Sequence, residues 1–435
     1  MSAITEQLGP VLNQESLFCL GGALSGVSLH HGVFIRGEWH NQAPIIFRIY
    51  AAIFGFVATT RIFYRTADPA DRQASCLVLA SFFHVLGMFA SILIYRRFFH
   101  RLNKANFPGP RWASNRILYP KHFTDKQRPG PSEVTVFLPE AHEVLGGRQS
   151  ECIKSEFYDL LWPERALFAA RDKAVHAKRR KDWQYGFSPG AMEHHERKVL
   201  QWVDELDRQL ATKAKDRSTV NATDYFLWFT FDIMGSFTFS KSFNMLERQR
   251  WHHIVLKTQN ARSLLGPLTG TPWLLHIGVK IMPRILWVRD WYESVEWCQA
   301  QMLERLETGS LPGVPDLTSF FMRNKNGKSD PWLAGDSLLA ILAGSCHSRG
   351  DASSSKPFDG GSRKTMDNGV NIGDYYIPPH TTVITPHYTI ARREDCFVEG
   401  TKFIPERWTT RPQMVLNPAA HIPFSIGKII LIVHV

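Results

Sequence analysis

Six cysteines, Cys19, Cys76, Cys152, Cys298, Cys346 and Cys396, are the side chains best suited to ligate a metal or act as nucleophiles. Their spacing supports neither a zinc site nor a disulfide framework, because no Cys-x-x-Cys or His-x-x-x-His pair occurs. Such sparse use fits a reducing compartment. Taken one by one, each cysteine reads equally as a ligand or as a small core side chain. The other chemically suggestive feature is a basic cluster, residues 173–181 (KAVHAKRRK). A nucleic-acid surface would need Lys and Arg along one face together with a recognisable reading motif. This cluster is short and lies inside a helical stretch, so no nucleic-acid partner is expected.

The elements that must position these groups come from a chain of 435 residues with a formal net charge of +11. That length suits two or three average domains or one large enzyme fold. With 44% hydrophobic residues and ordinary Gly and Pro, the composition excludes collagen-like, disordered and disulfide-scaffold classes. Apolar residues concentrate near the N-terminus. Residues 74–95 (ASCLVLASFFHVLGMFASILIY) carry no formal charge. As a helix they rise about 33 Å, enough for a hydrocarbon core of roughly 30 Å. A buried core helix would share this composition. The cluster Arg96, Arg97, His100, Arg101 and Lys104 decides for a span with its cytosolic end there. Residues 43–64, interrupted by Arg48 and Arg61, and the Gly- and His-rich residues 17–35 are possible further spans. Residues 1–16 lack the pattern of a cleaved signal peptide. The expected organisation is a membrane-anchoring region over 1–104, a stiff Pro/Gly hinge over 105–111 and a globular body over 112–435. On the cytosolic side the sequon Asn221-Ala222-Thr223 is not expected to be glycosylated.

The body reads as mainly helical. Val199, Val203, Leu206 and Leu210 form an amphipathic stripe with charged residues outside it. Residues 224–239 are hydrophobic almost all round, as expected of a buried helix, and 332–346 are a second such stretch. Small residues Ala343 and Gly344 on the latter fit plain helix packing or close approach of another group. After Gly350 comes a Ser/Gly/Asp/Pro run. Short strands are then expected at 370–372, 375–377 and 382–384, separated by Gly373-Asp374 and Pro378-Pro379.

Several of these pieces, in this order, resemble a membrane-anchored fungal cytochrome P450 of the kind that tailors secondary metabolites. The hinge Pro108-Gly109-Pro110 resembles the segment after the family's anchor. His176-xxx-Arg180, followed by Trp183 and Phe187-Ser188, resembles the helix that grips the haem propionates. The stretch from Phe231-Asp232 to Phe243 resembles a buried family helix. Ala343-Gly344-Ser345 resembles the start of the oxygen-activation motif. The segment 377–383, with Pro386, Tyr388 and Arg392, is similar to the strand and helix beside the haem. Phe403-x-Pro405-Glu406-Arg407-Trp408 matches the family's PERF/PERW element, and Pro423-Phe424-Ser425-x-Gly427 resembles the opening of the haem-binding loop. The resemblance implies a mainly α fold with a small β portion, preceded by one or more transmembrane helices. It also implies haem as cofactor, NADPH-cytochrome P450 reductase as electron donor, a small apolar metabolite as substrate and the endoplasmic reticulum membrane as location. His176, Arg180 and Arg363 are the implied haem-propionate contacts.

Four departures set limits on that implication. Laying the pattern Phe-x-x-Gly-x-x-x-Cys-x-Gly on Phe424 and Gly427 places Leu431 at the iron-ligand position and Val433 at the last glycine. The only Glu-x-x-Arg quartets, 205–208 and 247–250, lie upstream of the central helix and read as surface charges. Only eleven residues separate Gly350 from Ser362, where the resemblance implies several helices. Cys346 and His347 stand in place of the acid and threonine that serve oxygen activation. Neither Cys346 nor Cys396 is expected to replace the ligand, and Cys396, in an Arg-Glu-Asp turn, is expected to be exposed. The tail 428–435 (KIILIVHV) reads as translation past a disrupted coding boundary. The expectation is an incomplete, catalytically inactive cytochrome P450-like protein with no catalytic residue and no metal ligand. Two alternatives stand beside it: an active enzyme misrepresented by a faulty coding sequence, and a non-catalytic membrane-bound binding protein.

Overall fold

The structure is a computed structural model. It describes residues 14–63, 68–105, 107, 126–130, 132–162, 164–268, 271–309, 315–323, 332–345, 361–422 and 426. The chain divides into two compact units, residues 1–119 with 128–132, and residues 120–127 with 133–435. Residues 108–111 of the expected hinge lie outside the described residues.

The first unit is helical. Helix α1, Gln14–Leu29, continues as a π-turn to Phe34. It is followed by α2, Ala43–Phe63, and by α3, Asp68–Ile94, which continues as a π-turn to Phe99. Three segments, Gln14–Phe34, Ala43–Phe63 and Gln73–Asn103, are long and apolar enough to cross a membrane, with mean hydropathies of 1.3, 1.6 and 2.3. The stretch around 17–35, with its weaker apolar pattern, is therefore a full helix. Its glycines have a packing cause. A Cβ at Gly22 or Gly26 would fall on the backbone of Ala80 or His84, and one at Gly87 on that of Ala23. Small residues four apart let two helix backbones approach this closely in the absence of a hydrophobic drive. The contacts advance together from Gly22–Ala80 to the His30–Ser91 hydrogen bond of 2.8 Å, so α1 and α3 run parallel. Large apolar side chains such as Phe56, Ile62 and Phe63 point outward.

The second unit is built around helices with a small sheet. Strand β1, Glu133–Val136, leads to α4, Glu140–Gly146, and to the short β2, Ile153–Lys154. Helix α5, Lys173–Tyr185, starts where the Asp172 carboxylate accepts the Val175 N–H at 2.8 Å. Helix α6, Pro189–Lys215, starts at the Ser188 cap with proline in its first turn. Then follow α7, Ala222–Phe239; α8, His253–Leu268; α9, Pro272–Ile281; α10, Leu286–Thr308; α11, Leu317–Arg323; and α12, Leu333–Ser345. Short strands follow: β3, Arg363–Lys364; β4, Val370–Ile372; β5, Tyr375–Ile377; and β6, Thr382–Ile384. The last three strands coincide with those expected from the sequence.

Trp183, Trp228, Phe231, Trp291, Met302, Phe321 and Ile341 share one core, which brings α5, α7, α10, α11 and α12 together. Helix α7 is buried on most sides, as its sequence demands. Its Asp232 carboxylate accepts the main-chain N–H groups of Phe243 and Leu246 and so fixes the following loop. Asp336 of α12 is fully buried. It accepts from Arg179 Nε at 2.7 Å, Trp183 Nε1 at 3.1 Å and the Leu167 N–H at 2.8 Å, clamping α12 to α5. In the sheet, β1 pairs parallel with β6, β6 antiparallel with β3, and β3 antiparallel with β2. Strands β4 and β5 form a hairpin whose loop starts at Gly373 with φ 54°.

Candidate functional site

The registers of the small sheet and of α5 bring four basic groups together. Antiparallel pairing of β2 and β3 sets Lys154 directly opposite Arg363. Four residues apart on α5, His176 and Arg180 share a helix face, and the charges of Lys154, Arg180 and Arg363 all act on His176. His176 is 1% exposed, Lys154 4% and Arg363 9%. The Lys154 ammonium donates to the Phe168 carbonyl at 2.6 Å and lies over the Tyr158 ring at 5.2 Å. Arg363 Nη1 is 3.4 Å from the Tyr158 hydroxyl and the Gly361 and Ser362 carbonyls.

Electrostatics mark this cluster as unbalanced. Burial, and then the positive charges of Lys154, Arg180 and Arg363, hold the His176 imidazole down at about 4. Burial and the facing Arg363 push the Lys154 ammonium well below the usual lysine range. Like charges directly opposite across two strands are destabilising. Both ring nitrogens of His176 and the Nε atoms of Arg180 and Arg363 are buried without a hydrogen-bond partner. Each orphaned buried polar atom costs about 1–3 kcal/mol. A ligand bearing carboxylates or another anionic group removes both penalties at once, and the two propionates of haem have that chemistry. The anionic edge of haem thus fits the residues present.

The iron does not find the same welcome. Leu431, at the expected ligand position, has no lone pair, and it lies outside the described residues. So do Pro423, Phe424, Ser425, Gly427 and Val433, as well as Cys346, His347 and residues 351–360. Other thiols are poor substitutes. Burial raises the Cys152 and Cys298 thiols, and burial with Asp395 raises that of Cys396 to about 11. The expectation that Cys396 is exposed is corrected. It is 1% exposed and packs with Phe397, Ile390 and Ala420. Its carbonyl accepts the N–H groups of Leu416 and Asn417, so the returning chain covers the turn.

The PERW element forms a 3-10 turn, Pro405–Trp408. Arg407 is buried and donates through Nη2 to the carbonyls of Val398, Glu399 and Lys402, at 3.2, 3.2 and 3.4 Å. Its Nε is buried without a hydrogen-bond partner, and among the described residues no ion pair to a carboxylate is seen for it. Glu205 and Arg208 form an ion pair one turn apart on α6, and Glu247 and Arg250 are exposed. Arg208, Glu247 and Arg250 face solvent, so neither quartet forms an internal lock.

Sequence reasoning missed two members of this neighbourhood. Lys154 carries no local signal, because its place is fixed by pairing with a strand some 200 residues away. His142 of α4 is buried with both nitrogens unpartnered and meets His387 edge-on at 4.6 Å between ring centroids. Burial holds both imidazoles down at about 4, with added repulsion from His387 on the first and from Arg363 on the second.

The cytochrome P450 family model matches residues 106–327 and 358–429 of this chain. Similar proteins include the cytochrome P450 monooxygenase FCK2 of Fusarium pseudograminearum (strain CS3096), 28% identical and covering 93% of this chain and 86% of that protein. Tryprostatin B 6-hydroxylase of Neosartorya fischeri is 27% identical, with the same coverages. The cytochrome P450 monooxygenase nodW of Hypoxylon pulicicidum is 29% identical over 94% of this chain and 86% of its own length. Among solved structures, the cytochrome P450DA heme domain is similar with a TM-score of 0.49 and 14% identity, covering 68% of this chain and 76% of that one. The match to FCK2 extends over 488 residues, whereas 93% of this chain is only about 405, so about 80 aligned positions have no residue here. The family model also passes over residues 328–357.

Proposed function

The chain belongs to the cytochrome P450 family and is related to fungal tailoring monooxygenases, and from that membership we propose that it is a membrane-anchored member without a haem-thiolate centre. In the family a cysteine thiolate on haem iron supplies the electron density that lets the O–O bond split. The observation that carries the proposal is Leu431 at that position: a leucine side chain cannot ligate iron. Arg407 adds support, since a buried guanidinium held by carbonyls alone fits the loss of a carboxylate-bearing helix.

What the chain keeps is the grip on the anionic edge. His176, Arg180 and Arg363 serve as vestigial propionate contacts, with Lys154 as a further basic group. No residue is assigned a catalytic role and none is assigned as a metal ligand. Residues 1–104 form the anchor and residues 112–435 the body, on the cytosolic side of the endoplasmic reticulum membrane. The basic cluster from Arg96 to Lys104 supports that orientation. NADPH-cytochrome P450 reductase is not a productive partner of this form, and a small apolar metabolite is not turned over by it.

The test uses the full-length chain in membranes with reductase, haem and NADPH. Chain-dependent NADPH oxidation above that of reductase alone overturns the proposal, and none is expected. A second reading has one observation behind it. The positions absent from this chain include an internal block, so a transcript restoring a Glu-x-x-Arg helix and a ligand cysteine would encode a working monooxygenase. Sequencing the transcript across residues 345–363 and the 3′ end decides between the two.

A further inference from the structure

On the first unit the three apolar helices leave an open groove of about 670 Å³, lined in part by exposed side chains such as Leu17, Ile49 and Ile53. Its walls are apolar apart from a few polar side chains, among them Ser25 of α1, Tyr50 of α2 and Ser81 and His84 of α3. An ionisable residue at membrane depth is costly and tends to mark a site. Clefts of this size with few convergent polar groups hold small ligands.

The proton positions of this group follow from its neighbours. Ser25 Oγ lies 2.7 Å from the Gly22 carbonyl, which can only accept, so the serine proton is committed there. The 2.7 Å contact between Ser25 Oγ and His84 Nδ1 then requires a proton on Nδ1. With the proton on Nδ1, Nε2 accepts the Tyr50 hydroxyl proton at 2.9 Å, and Met88 Sδ lies 3.7 Å away as a weaker second acceptor. Every proton of the relay is thereby used, and the Tyr50 oxygen keeps free lone pairs at the groove wall. Ser81 adds a hydroxyl on the same wall.

We propose that this groove is a binding site for a sterol-sized lipophile bearing one hydroxyl, which donates to Tyr50 Oη and accepts from Ser81. The proposal rests on the reading of this unit as a membrane anchor. A ketone or ether of the same body lacks the proton that Tyr50 can accept and binds more weakly. Bilayer lipid supplies such molecules directly, so no path through the second unit is needed. Two glycines line the site: Gly22 admits no side chain, whereas a Cβ at Gly21 meets nothing within 4 Å.

The test places the full-length chain in phospholipid nanodiscs. Binding of dehydroergosterol and of its 3-O-methyl ether is read by energy transfer from tryptophan. The alcohol is expected to bind roughly tenfold tighter than the ether, the worth of one hydrogen bond. Tyr50→Phe brings the alcohol to the level of the ether. Gly21→Leu fills the groove without touching the α1–α3 contact and abolishes binding of both. Equal binding of the two probes, or no effect of Tyr50→Phe, overturns the proposal and leaves a crevice filled by acyl chains only. Carbonate-resistant insertion of the full chain is scored separately. Failure there overturns the anchor reading, whereas insertion without selective binding overturns the site alone.

Discussion

Lys154→Met should make the protein more stable and its anion site weaker, two effects that ordinary packing would not combine. The lysine is buried and faces Arg363 across two paired strands, and its charge in turn disfavours protonation of His176. Replacing a buried charge lacking a counterion by an apolar side chain of similar volume gains about 1–4 kcal/mol. Against this stands the lost hydrogen bond to the Phe168 carbonyl, 2.6 Å long, at about 1 kcal/mol. The net gain of about 0–3 kcal/mol corresponds to a rise in melting temperature of up to roughly 10 °C. A thermal melt of the full-length chain, followed by near-UV circular dichroism, reads it. The same variant is then titrated with metal-free protoporphyrin, which has the two carboxylates but no iron. Affinity should fall about tenfold or more, because the basic group facing Arg363 is gone. A lower melting temperature together with unchanged porphyrin affinity refutes the reasoning and makes the cluster a packing feature.

Three further outcomes are expected. Asp336→Ala removes the buried carboxylate that holds Arg179 Nε and the Trp183 N–H, leaving Arg179 its longer pair to Asp182, and should cost about 3 kcal/mol, seen as early loss of the protease-resistant core. Buried His142 and His176 are held at about 4 against an unfolded value near 6.5, so the unfolded state binds more protons between these pH values. Stability is full above pH 6.5 and falls as pH drops toward 4, by on the order of 2–3 kcal/mol per histidine after allowance for screening. Melts at pH 7.5 and 5 check the sign; equal stability at both contradicts it. Gly26→Leu, which drives a side chain into the His84 backbone, should separate α1 from α3. Cross-linking between cysteines placed on these two helices should drop, whereas Gly21→Leu leaves it intact.

Much of the fold was legible where local chemistry dictates it. Strands β4, β5 and β6 are bounded by Gly373-Asp374 and Pro378-Pro379, and these punctuate any backbone in the same way. The uncharged run 74–95 needed no tertiary information to read as a helix. The site was legible only in part. His176 and Arg180 share one helix, so their pairing is local, but Lys154 meets Arg363 only through strand register. Cys396 was misjudged because its neighbours Arg393, Glu394 and Asp395 are charged, while the returning segment at Leu416 and Asn417 turns its side chain inward. The Ser25–His84–Tyr50 relay joins three helices, and nothing in the period of any one of them announces it.

Leu431 at the ligand position predicts an iron without a thiolate. The full-length chain, supplied with haem, reduced with dithionite and exposed to carbon monoxide, tests it in one spectrum. No thiolate-haem Soret band is expected, even where haem is retained by the cationic grip. A thiolate band from this chain would contradict the account.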